Sequence, residues 1–200
     1  MSSSIQRRSF LVAMMAAGFS LYGCSRSNDL KDIHGIDMSG TDIGRDFQLN
    51  GSDGRQYRLS DFKGKAVLVF FGFTQCPDVC PTALFRAAEI KKLLDKEGDQ
   101  LQVLFITVDP ERDTPEILQA YVTAFDPGFI GLYGDLEKTK ETASEFKVFY
   151  EKVPTGASYT MDHSAITYVY DRSGQLRIGL RHTQTAEEYA ADIRQVLALG

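Results

Sequence analysis

Two thiols with three residues between them stand in Gly72-Phe-Thr-Gln-Cys76-Pro-Asp-Val-Cys80-Pro81. Such a pair can cycle between dithiol and disulfide if the backbone brings the two Cα atoms within about 7 Å. Two thiolates also make a soft-metal site, which favours Cu(I) or Zn over Mg or Ca. A stabilising crosslink is the plainer alternative in an exported chain. A loop this small gains little from closure, because the entropy term grows with loop length. Pro81 fits a first helical position, which places Cys80 at or near an N-cap. Free N–H groups and the positive end of the helix dipole favour a thiolate there.

Copper held by two sulfurs is satisfied more fully by a third donor, and the chain offers three histidines. His34 falls in an N-terminal stretch without clear apolar period, His182 follows a strand end, and His163 stands just before a late strand. A loop leading into a late strand can return to the cysteine edge of a mixed sheet. Asp162 beside His163 offers a carboxylate to orient the ring. Spacing alone does not choose among the three.

The elements that must position these groups follow from periodicity and capping. Phe47-Gln-Leu-Asn and Gln56-Tyr-Arg-Leu flank Gly51-Ser-Asp-Gly54, a hairpin signal. Ala66 to Phe71 is a continuous apolar run, the pattern of a strand buried on both faces. A helix is expected from Pro81 to about Glu97, stopped by Gly98. Leu101 to Val108 reads as a second central strand. Thr114 and Pro115 open a helix, Phe129 to Tyr133 is a short strand, and Asp135 to about Phe149 is a third helix. Ala165 to Tyr170 and Leu176 to Leu180 are strands around Asp171-Arg-Ser-Gly174, and Thr185-Ala-Glu-Glu188 has capping-box spacing for a last helix. The early βαβ units imply parallel strands, and the late hairpin adds antiparallel ones. The fold class is therefore α/β, a thioredoxin-like mixed sheet flanked by helices, with an added N-terminal β-hairpin.

With 43% apolar and 24% charged residues, the 200-residue chain is ordinary globular in composition. Its formal charge is −5 and no basic run stands out, which argues against nucleic-acid binding. Residues 1–23 read as a signal peptide: Arg7 and Arg8 precede an uncharged stretch from Phe10 to Tyr22, too short for a spanning helix. Leu21-Tyr22-Gly23-Cys24 resembles a lipoprotein cleavage box, which makes Cys24 the expected lipidation site. Arg7-Arg8-Ser9-Phe10-Leu11 also resembles a twin-arginine export motif. Residues 24–40 read as a lipidated tether and 41–200 as the folded domain.

Three stretches carry a family resemblance that spans about residues 42–198. They are Phe71-Gly-Phe-Thr-Gln-Cys76-Pro-Asp-Val-Cys80-Pro-Thr82, Val108-Asp-Pro-Glu-Arg-Asp-Thr-Pro115 and Asp162-His-Ser164. On these the chain resembles the Sco/SenC family of copper-binding cytochrome c oxidase assembly proteins. Gln75 stands where that family often has His, and Met161 where Val is common. The resemblance implies a thioredoxin-like fold and copper, Cu(I) or Cu(II), bound by Cys76, Cys80 and His163. It further implies delivery of copper to the binuclear copper site of cytochrome c oxidase subunit II, or preparation of that site's thiols. Membrane attachment outside the cytoplasm is usual in the family, which agrees with a lipid-anchored location on the periplasmic side of a bacterial membrane. The rival expectation is an enzyme, a thiol–disulfide oxidoreductase in which a redox-active Cys76–Cys80 pair reduces the acceptor's cysteines, with Cys80 as the acidified thiol. Asp78, Asp109 and Asp113 are candidates for tuning or holding the site, and Tyr159, Tyr168 and Tyr170 read as sheet packing.

Overall fold

The computed structural model describes residues 30–199. The expected signal peptide and the lipidation site at Cys24 lie outside the described residues. Ten strands and four α-helices are present among those described. An eight-stranded sheet has the order β1-β10-β9-β4-β5-β6-β2-β3, and β7 and β8 form a separate two-stranded ribbon. Its centre is β4 (Ala66–Gly72), β5 (Leu101–Thr107) and β6 (Ile130–Tyr133), which are mutually parallel. On one side β9 (Ile166–Tyr170), β10 (Leu176–Arg181) and β1 (Ile36–Asp37) add antiparallel. On the other side the hairpin of β2 (Gln48–Gly51) and β3 (Gln56–Arg58) pairs antiparallel with β6. This is the mixed sheet expected from the alternation of elements, with the added hairpin at its edge.

All seven residues of β4 are buried, as its unbroken apolar run requires of a strand covered on both faces. Phe71, Phe146 and Tyr168 form an aromatic column beside it, with ring centroids 4.9 Å and 5.4 Å apart in turn. The buried phenols find carbonyl partners: the Tyr168 hydroxyl donates to Phe146 O, and that of Tyr170 to Gly44 O. These two tyrosines are sheet packing, as expected.

Helix α1 (Val79–Leu93) links β4 to β5, and α2 (Pro115–Thr123) links β5 to β6. Helix α3 (Leu136–Glu145) follows β6, and α4 (Ala186–Ala198) closes the chain and packs on α1. The caps expected at Thr114 and Thr185 are formed, and Asp135 supplies a further one. Thr114 accepts from Ile117 N, Asp135 from Lys138 N, and Thr185 and Glu188 make a reciprocal capping box. Among the described residues no helix is long and apolar enough to cross a membrane.

Three segments differ from the sequence reading. Helix α1 begins two residues before Pro81, with Asp78 as N-cap, and it ends at Leu93 before a 3-10 turn over Asp95–Gln100 that contains Gly98. Pro81 is tolerated because first-turn N–H groups have no helical partner. Helix α3 stops at Glu145, and Lys147 then takes a left-handed φ of 56° that turns the chain into β7. The segment expected to be a tether is docked from about Lys31 onward. Lys31 N–H donates to Gln195, and the N–H groups of His34 and Gly35 donate to the carboxylate of fully buried Asp192 on α4. Ile36–Asp37 then pairs with β10. A buried carboxylate needs donors, and this strap supplies them.

Candidate metal centre

The carboxyl end of β4 runs directly into the cysteine loop. Cys76 N–H donates to Phe73 O in a tight turn, and α1 starts three residues later. Cys76 is half-buried and Cys80 is fully buried, and both are free thiols. A Cβ on Gly72 would meet Cys80 Sγ at 2.7 Å and the Phe105 ring at 2.8 Å, so the sulfur lies against bare strand backbone.

His163 comes from the ribbon. Strands β7 (Tyr150–Thr155) and β8 (Ser158–His163) pair antiparallel, with Tyr150 opposite His163. His163 therefore ends a strand rather than sitting in a loop. Its Nε2 lies 3.6 Å from Cys80 Sγ. Its Nδ1 is 2.9 Å from Ser164 O. A carbonyl only accepts, so Nδ1 carries the proton and the Nε2 lone pair faces the sulfurs. This backbone oxygen takes the orienting role expected of Asp162, which is exposed. The edges of Phe70 and Phe73 hold the ring, at centroid distances of 6.2 Å and 5.9 Å. The ligand atoms of Cys76, Cys80 and His163 all lie within 4.8 Å of one another.

The two thiols are unequal, and in the opposite sense to the sequence reading. Cys80 N–H donates to Cys76 Sγ at 3.5 Å, so the helix start serves the loop cysteine. The Cys80 thiol, burial and the backbone N–H groups of Asp78 and Cys80 act on Cys76. Burial works against the thiolate, and the donors outweigh it and draw the Cys76 pKa down. Donation to Cys76 and burial push Cys80 up. The accessible thiol is the acidic one and the buried thiol keeps its proton.

The loop from Val108 to Thr114 supports this arrangement. Buried Asp113 accepts from the N–H and hydroxyl of Thr74 and from the Thr107 hydroxyl, which pins the cysteine loop to β5. Burial raises its pKa against the pull of those two threonines. Asp109, also fully buried, accepts from the Tyr159 hydroxyl at 2.8 Å and from Arg112 Nε. Arg112 donates onward to Tyr159 O at 2.7 Å and to Gln75 Oε1 at 3.2 Å. Asp109 and Asp113 are thus holding groups, Asp78 is the α1 N-cap, and Tyr159 belongs to the ribbon instead of the main sheet. Met161 is buried in the core, which fits packing. Sequence reasoning passed over Arg112, whose only signal is its place in the Val108–Pro115 stretch. His34 and His182 stand apart from the group: His34 is in the docked strap, and the His182 carbonyl accepts from Arg86.

Fold and site together define a thioredoxin-like domain with a dithiol–imidazole cluster at the carboxyl end of its central strand. The SCO1/SenC family model matches residues 37–198, and the chain belongs to that family. A SCO2-like protein of Rickettsia felis is 42% identical over 136 residues, which are 66% of this chain and 66% of the relative. The chain therefore matches about two thirds of that relative's length. The structure is similar to Bradyrhizobium japonicum ScoI with copper bound, at a TM-score of 0.71 and 42% identity, covering 78% of this chain and 99% of that one. It is also similar to a SCO1/SenC family lipoprotein from Bacillus anthracis, at a TM-score of 0.68 and 25% identity, covering 80% and 97%.

Proposed function

We propose that the protein is a copper metallochaperone that carries copper on Cys76, Cys80 and His163. One observation carries this reading: two sulfurs and an imidazole lone pair converge within 4.8 Å. The donor set fits the cargo. Thiolates suit Cu(I), and imidazole serves Cu(I) and Cu(II) alike. Binding requires that the metal displace the Cys80 proton to solvent, so loading releases protons and weakens as pH falls. The half-buried Cys76 leaves one side of the cluster open to a partner's ligands. Transfer is then an exchange of these donors for acceptor thiolates.

Family membership supports a place in cytochrome c oxidase assembly. The acceptor on this reading is the binuclear copper site of subunit II. Attachment through lipidated Cys24 on the periplasmic side of the membrane would keep the domain beside that membrane-bound partner. The similarity to a Bacillus anthracis lipoprotein supports that placement.

The unequal thiols favour a second reading, thiol–disulfide exchange with the acceptor. The Cys76 thiolate attacks an acceptor disulfide and forms a mixed disulfide, releasing one acceptor thiol. Cys80 then attacks the Cys76 sulfur, which releases the second acceptor thiol and leaves Cys76–Cys80 oxidised. Two electrons pass from this protein to the acceptor.

Copper titration of the reduced protein beside its His163→Ala, Cys76→Ser and Cys80→Ser variants separates the two. The expected result is stoichiometric binding with thiolate-to-copper charge-transfer absorption for Cu(II), weakened in His163→Ala and lost in both serine variants. Absence of binding above that of the oxidised protein, with copper-free disulfide turnover retained in His163→Ala, would make the oxidoreductase the function.

A further inference from the structure

The third donor sits on a ribbon that shares no strand pairing with the main sheet. Side chains alternate along a strand, so Tyr159, Met161 and His163 lie on one face of β8. Met161 on that face is buried in the core. At Tyr159 the ribbon is held by two side chains from the body, Arg112 and Asp109. The Arg112 guanidinium lies 3.7 Å from the Tyr159 ring centroid and donates to the Tyr159 carbonyl at 2.7 Å. The same guanidinium donates to Gln75, the residue before Cys76. Buried Asp109 anchors it through Nε and takes the Tyr159 hydroxyl as well. The outer tie between Lys152 and Glu111 joins two partly exposed side chains and contributes little.

We propose that Arg112 is a positioning residue that fixes the distance between His163 Nε2 and the two sulfurs. It reaches the histidine-bearing ribbon and the cysteine-bearing loop at once. A flat guanidinium can stack on a ring and donate from two edges, whereas an ammonium is a point charge that does not stack in this way. Arg112 touches no ligand atom. Its effect on metal passes through His163, and in that respect the inference rests on the copper reading.

The test is a double-mutant cycle on the full protein, with Cu(I) and Cu(II) as probes. Arg112→Lys keeps the positive charge beside Asp109 and removes the stack and the two-edged donation. Copper affinity is expected to fall about 10–100-fold, the usual cost of losing an outer hydrogen-bond partner, and the nitrogen hyperfine signature of the Cu(II) form is expected to weaken. In the His163→Ala background the same change is expected to shift affinity by no more than about twofold, the scatter of independent sites. An equal loss in both backgrounds overturns the inference, because Arg112 would then act independently of His163.

Amide exchange in the metal-free protein gives a reading independent of copper. Arg112→Lys should speed exchange across Tyr150–His163 and leave β4 and β5 unchanged, and unaltered exchange in the ribbon also overturns the inference. Tyr159→Phe, which removes only the hydroxyl bond to Asp109, is a milder cut in the same latch should the lysine variant not fold. It should loosen the ribbon in the same direction, and no change there counts against the latch. Failure of the wild-type protein to bind copper would defeat the metallochaperone reading while leaving the exchange experiment to judge Arg112.

Discussion

The sulfur of Cys80 rests where a side chain on β4 would otherwise be. Gly72 has an ordinary strand conformation, so its role is room and not backbone freedom. A methyl group there would meet Cys80 Sγ at 2.7 Å and two carbons of the Phe105 ring at 2.8 Å and 3.0 Å. All lie well inside van der Waals contact, and the surrounding core is closely packed. Gly72→Ala is expected to destabilise the protein by about 1–3 kcal/mol, the usual cost of overpacking. It should also move the Cys80 sulfur off the cluster. A denaturant midpoint lowered at constant m-value, together with weaker copper binding and unimpaired alkylation of Cys76, would report that displacement. A variant as stable as the parent would show that the Cys80 and Phe105 side chains repack freely. At this scale the sequence identified Cys76 and Cys80 as the chemistry but assigned acidity to the wrong one. Helix-start reasoning looks at the residue on the helix. The N–H of Cys80 instead points back at the Cys76 sulfur.

Among the elements, the strands and helices with strong periodicity or caps were legible and the ribbon was not. Tyr150–Thr155 has the sequence Tyr-Glu-Lys-Val-Pro-Thr and no buried residue, so no apolar alternation marks it. Its pairing with β8 is what gives His163 its direction. The docked strap was missed for a related reason. Ile36–Asp37 is exposed and only two residues long, and what holds the segment is Asp192, 157 residues further along the chain from Gly35. Asp192→Ala would leave the N–H groups of His34 and Gly35 without their acceptor, at a cost of about 1–3 kcal/mol. Amide exchange should then rise over residues 34–38 and stay slow in β9 and β4. Unchanged protection of His34 and Gly35 would refute the clamp.

Across the whole molecule, the metal cluster and the β9–β10 turn are held by different groups, so acid should act on them separately. Burial raises the Asp171 carboxyl. The Ser173 hydroxyl, the Gln175 N–H and the Arg177 guanidinium outweigh it and hold the pKa below its ordinary value of 3.8. A carboxyl depressed by folding adds stability that is fully present above that ordinary value. The contribution is lost as pH falls from there through the folded value. Asp171→Asn should therefore lower stability at neutral pH and flatten the stability profile in the acid range below about pH 4. Parallel profiles for the two proteins down to pH 2 would contradict this. Arg177 and Asp171 are almost wholly buried, so salt should screen the pair weakly.

By itself the sequence determined the alternation of elements, the capped helix starts, the buried central strand and the nature of the donors. These are properties of short windows: apolar period, capping chemistry and two sulfurs four positions apart. The local residues left three histidines open, and the choice of His163 came from family resemblance. Only the tertiary structure brings its Nε2 to 3.6 Å from a sulfur 83 residues away, on a ribbon whose own residues carry no core signal. The same holds for Arg112, whose partners Gln75 and Tyr159 lie 37 and 47 residues distant in the chain. Local periodicity encodes which face is buried. It does not encode which distant segment a hydrogen bond will reach, because that is fixed only when the sheet order has closed.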